Sequence, residues 1–92
     1  MKPLLQFRAF FRRPDYARVY VWPSKRSMHR WIGEFRFTAI CIATDRYYCP
    51  THSRRLRRDP HMICELHFTK ASLRMGIITH ECAHAAVQWA RR

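Results

Sequence analysis

Four segments of this chain alternate apolar and polar residues with a period of two, and after Thr69 the period lengthens to that of a helix. A period of two commits a segment to a strand with one face on a core, so this switch fixes the class of fold before any motif is considered. Leu5, Phe7, Ala9 and Phe11 oppose Gln6 and Arg8, and Ala17, Val19 and Val21 oppose Arg18, Tyr20 and Trp22. Phe35, Phe37, Ala39 and Cys41 oppose Glu34, Arg36 and Thr38, and Met62, Cys64, Leu66 and Phe68 oppose His61, Ile63, Glu65 and His67. The links carry Pro14, the run Pro23-Ser24-Lys25, and a longer stretch from Ala43 to Pro60.

Thr69 is a predicted N-cap, and Ser72 three residues on does not complete a capping box. At 100° per residue, Ala71, Met75, Ile78, Cys82, Ala85, Ala86 and Trp89 form a stripe expected to lie on the sheet. His80 and His84 fall on the opposite side with Gly76, Leu73, Ile77 and Val87 close by. The expectation is an α+β domain, a four-stranded antiparallel sheet packed by one C-terminal helix, with residues 1–92 forming a single small basic domain.

No stretch of 18 apolar residues is present, so no transmembrane helix is expected. Gln6 and Arg8 interrupt the apolar run near the start, which favours a strand over a signal peptide. Cys41, Cys49, Cys64 and Cys82 include no C-x-x-C pair, which points to reduced thiols and a cytoplasmic protein.

Charge narrows the partners. Eighteen Lys+Arg against six Asp+Glu give a formal net charge of +12, a field that draws in polyanions. Nucleic acid, with RNA favoured, or a nucleoprotein complex is the first candidate partner, and an anionic membrane surface the second. Arg54, Arg55, Arg57 and Arg58 lie in the long loop, where four guanidiniums repel one another unless counter-charge is present. Arg12-Arg13, Lys25-Arg26 with Arg30, and Arg91-Arg92 add further basic clusters. Trp22 and Trp31 bracket the Lys25–Arg30 turn, and Tyr47 and Tyr48 precede the arginine loop. Aromatics beside cations either stack on unpaired bases or close the core of a small domain.

The sharpest local pattern is His80-Glu81-Cys82-Ala83-His84, an H-E-x-x-H. Two histidines four apart on a helix point the same way and can share one Zn²⁺, while the glutamate polarises a metal-bound water. The stretch LRMGIITHECAHAAVQWARR resembles the active-site helix of the zincin superfamily, particularly SprT-like domains and small phage-encoded metallopeptidases. The resemblance covers the last quarter of the chain. It implies His80 and His84 as zinc ligands, Glu81 as general base, and a third ligand from a segment downstream of the helix. Residues 85–92 offer no His, Glu, Asp or Cys, so a third ligand is expected from upstream, where His61, Glu65 and His67 share a strand face, His67 first among them, or from another subunit.

A second metal pattern, Cys49 and His52 followed by His61 and Cys64, has the spacing of a zinc knuckle, but residues three apart on a strand point to opposite faces. Lone histidines such as His29 are expected on the surface. The leading expectation is a non-enzymatic binding protein with no cofactor, docking through its arginine clusters. If the phage resemblance holds, this would be an inhibitor of an RNA-guided CRISPR effector in the host cytoplasm. The alternative is a minimal zinc metallopeptidase.

Overall fold

The computed structural model describes residues 2–32, 39–43 and 60–91. In chain order these form β1 (Leu5–Arg12), β2 (Asp15–Trp22), α1 (Lys25–Ile32), β3 (Ala39–Ala43), β4 (Met62–Thr69), a 3₁₀ turn (Lys70–Ser72) and α2 (Met75–Ala90). The sheet order is β1-β2-β4-β3. β1 and β2 pair as an antiparallel hairpin, Leu5 opposite Val21 and Phe7 opposite Val19, and β3 runs antiparallel to β4. The α+β class, the four strands and the C-terminal helix agree with expectation. The sheet is mixed rather than antiparallel throughout, because β2 and β4 are parallel, Val19 beside Leu66 and Trp22 beside Thr69.

A parallel pair needs a crossover, and α1 forms part of it. The sequence reading took this segment for a turn. Ser24 caps the helix, its Oγ accepting the Ser27 N–H at 3.2 Å, and Met28, Trp31 and Ile32 recur at helical spacing. Met28 and Ile32 pack with Tyr16, Tyr20, Trp22, Ile42 and Met62 on one face of the sheet. The other face carries a second cluster, Ala17, Val19, Ala39, Cys64, Leu66 and Phe68, under Ala85 of α2. All eight residues of β4 are buried because helices cover both of its faces.

Three details depart from the sequence reading. A register shift between Tyr16 and Ala17 sends Met62 to the α1 side, whereas Cys64, Leu66 and Phe68 face α2. Thr69 caps the 3₁₀ turn rather than α2: the Ser72 N–H donates to Thr69 Oγ1 at 3.2 Å and the Thr69 N–H to Ser72 Oγ at 2.9 Å. Ser72 thus does complete a capping box, contrary to expectation, its hydroxyl taking the part of a Glu or Gln side chain. α2 is also rotated by roughly 60–70° from the expected stripe, at 100° per residue. Glu81 and Ala85 are buried, Ile77, Ile78 and Trp89 half-buried, and Met75, Cys82 and Ala86 exposed. A Cβ placed on Gly76 would meet nothing within 4 Å, so no close approach requires glycine there. Of the strand expected over Glu34–Cys41, residues 34–38 lie outside the described residues, as does most of the long loop.

Candidate functional site

His80 and His84 occupy one exposed flank of α2, their Nε2 atoms 3.1 Å apart, so one ring N–H donates to the other. Among the described residues nothing completes a metal site around them. His67, the expected third ligand, lies on the far face of the sheet, fully buried in the α1-side cluster. Its ring stacks on Tyr20 at 4.5 Å, and its Nδ1 accepts the Trp22 indole N–H at 2.9 Å. An indole N–H only donates, so His67 is the neutral Nε2–H tautomer, and that N–H donates to Glu65 Oε1 at 2.9 Å. A sheet therefore stands between His67 and the α2 histidines. Glu81 is turned under the helix and buried rather than held over an open metal position. His61 faces Asp15, Nδ1 to Oδ1 at 3.5 Å. Among the described residues no group of three His, Cys, Asp or Glu could hold a metal ion.

Of the knuckle pattern, the two described residues do not converge. Cys64 is buried in the α2-side cluster, His61 is exposed, and Cys49 and His52 lie outside the described residues. His29, expected on the surface, is buried. Cys41, Cys64 and Cys82 are free thiols. Hydrogen bonding with Cys64 lowers the Cys41 pKa despite burial, and the same bond together with burial raises that of Cys64.

No family model matches this chain. Nor does any curated protein or solved structure match it. The zincin resemblance is thus overturned by the lack of a ligand cluster among the described residues, and the phage and CRISPR-inhibitor readings drawn from it, like the RNA-binding one, gain no support from any match. His80→Ala is expected to shift stability by no more than about 0.5 kcal/mol, as for other exposed positions. A urea melt showing a loss above about 2 kcal/mol would mean that the pair is structural.

What the fold assembles is a basic surface. Arg12 and Arg13 sit at the turn between β1 and β2, and α2 brings Arg91 to the same end. Trp89 stacks on Phe11 at 5.4 Å and donates its indole N–H to Asp15 Oδ2 at 3.2 Å, pinning the C-terminal turn of α2 beside the hairpin. At the other end, exposed Lys25, Arg26 and Arg30 project from α1, and Lys25 shares a cavity of about 200 Å³ with Arg74. Arg74 is a cation the sequence reading left out. Arg54, Arg55, Arg57, Arg58 and Arg92 lie outside the described residues.

Among the described residues, acidic groups do little to neutralise this surface. Glu65 and Glu81 are buried, and Asp15 is occupied by Trp89 and His61. Among the described residues no Lys or Arg forms an ion pair with a carboxylate.

The sequence reading also missed an arginine–aromatic ladder on the α1 side of the β1–β2 hairpin. The Arg8 guanidinium lies 4.6 Å over the Tyr16 ring, Phe10 packs against Tyr16 at 5.8 Å, and the Arg13 guanidinium lies 4.3 Å over Phe10. Arg18 stands beside Arg8 in register. Burial works against its charge, but hydrogen bonding to Tyr16 and the nearness of Tyr20 outweigh it and hold its pKa above the usual value. Further along β1, Gln6, Lys2 and Trp31 rim a cleft of about 350 Å³ floored by Tyr20 and Trp22. Trp22 therefore serves the core, while half-buried Trp31 edges an open cleft. One signal was available in the sequence: Phe10 is an aromatic in phase with Gln6 and Arg8, where a solvated face predicts a polar residue.

Proposed function

We propose that this chain is a non-enzymatic binding protein that docks on single-stranded nucleic acid, alone or within a nucleoprotein, along the α1 side of β1. One observation carries the reading: exposed Phe10 under Arg13, with Arg8 over Tyr16 in the next rung. A guanidinium held over a ring is pre-placed to pair with a phosphate, and the exposed ring offers a stacking surface to an unpaired base. β1 is eight residues long. At ~3.3 Å per residue it spans about 26 Å, room for roughly four nucleotides, the low end of site sizes for a small domain. The cleft at Trp31 gives a second aromatic stop at the far end of the track.

Readout on this surface is through backbone charge and stacking, so affinity is expected to depend steeply on salt and weakly on sequence. Four neutralised phosphates give a slope near −2.8 in log K against log salt, about 50-fold between 50 and 200 mM. Fluorescence anisotropy with a labelled single-stranded oligonucleotide checks this. Phe10→Ala is expected to weaken binding about 5- to 150-fold through the lost stack, with little change in salt slope. Arg8→Ala is expected to reduce the slope by about 0.7. Affinity unchanged by Phe10→Ala, or equal binding to anionic vesicles, would leave charge alone at work and sink the proposal.

A further inference from the structure

We infer that the outer edge of β1 is a docking site for an extended acidic–apolar segment of another protein, which joins the sheet as a fifth strand. β1 is an end strand of the sheet, and among the described residues no strand pairs with its outer side. A lone edge presents alternate backbone N–H and C=O groups to any chain that can match them, and edges are ordinarily guarded by proline, a bulge or an outward charge. Leu5 to Phe10 has no proline, and its register with β2 stays regular until the shift between Phe10 and Arg12. The one charge in that run, Arg8, is laid over Tyr16 on the sheet face instead of guarding the edge.

Side chains along the edge define the occupant. On the α2 side Leu5 and Phe7 are 53% and 45% exposed although their neighbours Val19 and Val21 are buried, so this stretch of apolar sheet lies open. On the α1 side the same strand shows Gln6 and Arg8, with Arg12 and Arg13 following, and β1 has no acidic residue. A complementary strand places apolar side chains beside Leu5 and Phe7 and carboxylates beside Arg8. Charge decides between occupants. A second copy brings another +12 and a second arginine-bearing edge, whereas an acidic strand neutralises this one. Strand addition of this kind draws affinity from main-chain hydrogen bonds and register from alternate side chains.

The test uses the full chain without nucleic acid, so its outcome is independent of the function proposed above. The probe is a synthetic peptide of alternating valine and glutamate matched to β1 in length. Two further peptides of the same sequence carry N-methyl groups on alternate amides, one on each edge. Isothermal titration is expected to show one methylated peptide binding roughly tenfold or more weakly than the parent and the other within about threefold, because only one edge faces β1. Phe7→Thr is expected to weaken the parent peptide by a similar factor. Equal binding of all three peptides would reduce the contact to electrostatics and overturn the inference. So would a dimer of the unliganded chain, seen by sedimentation and abolished by Phe7→Thr, because the edge would then belong to a second copy.

Discussion

Replacing Trp22 with alanine is expected to remove most of the stability of the fold. The indole is 1% exposed and sits among Tyr20, Trp31 and His67, with ring centroids 5.7 to 6.1 Å away. Truncating a buried tryptophan costs about 3–5 kcal/mol. Here it also strips His67 Nδ1 of the Trp22 indole N–H in a dry interior, about 1–3 kcal/mol more. A chain of 92 residues holds about 5–14 kcal/mol in all. Urea denaturation should therefore show the midpoint collapsing, and each kcal/mol lost should lower Tm by about 4–8 °C. Trp22→Phe separates the two contributions: it keeps most of the packed ring and loses the hydrogen bond, for about 1–3 kcal/mol. A Trp22→Ala protein within about 1 kcal/mol of the parent would show that the α1-side cluster contributes little to stability.

How much of this was legible in the sequence depends on whether a signal is local. β1 and β2 were readable because their alternation is a property of each strand alone, and the hairpin follows from the short link at Pro14. The pairing of β2 with β4 was not readable, since Trp22 and Thr69 become neighbours only through a crossover that includes α1. α1 itself had a signal, Pro23-Ser24 as cap followed by Met28, Trp31 and Ile32, but its Lys and Arg residues were read first as a basic turn. β4 misled in a different way. Glu65 and His67 fall on the polar side of the alternation, yet both are buried, the His67 Nε2–H donating to Glu65 Oε1 and the Trp22 indole to His67 Nδ1.

Site residues divide along the same line. The H-E-x-x-H was conspicuous in sequence but depends on a third group brought by the fold, and the fold puts His67 behind a sheet. Helix periodicity fixed which residues of α2 share a face but not which face meets the sheet, because α2 is apolar nearly all round. The aromatic interleaving was sought beside the arginine loop. The ladder lies on β1, where Arg8, Phe10 and Arg13 come together with Tyr16 of β2 packed beside them.

Glu65→Ala is expected to cost about 1–3 kcal/mol, the usual penalty for leaving a buried neutral donor without its acceptor. Glu65 and His67 are both 0% exposed, and the neutral His67 ring is spoken for on both nitrogens, by Trp22 on one side and Glu65 on the other. Removing the carboxylate leaves the Nε2–H without its acceptor, in a site where water cannot substitute without opening the Tyr20–Trp22 stack. Glu65→Gln is the informative contrast. An amide oxygen can still accept the Nε2–H, so the cost should stay below about 1.5 kcal/mol. Because His67 links Glu65 to Trp22, Glu65→Ala and Trp22→Phe should not be additive, and a double-mutant cycle is expected to give a coupling of about 0.5–3 kcal/mol. Guanidinium melts of the four proteins in the cycle would measure it. Additive costs, or a Gln variant as damaged as the Ala variant, would mean that Glu65 is held by something other than the His67 ring.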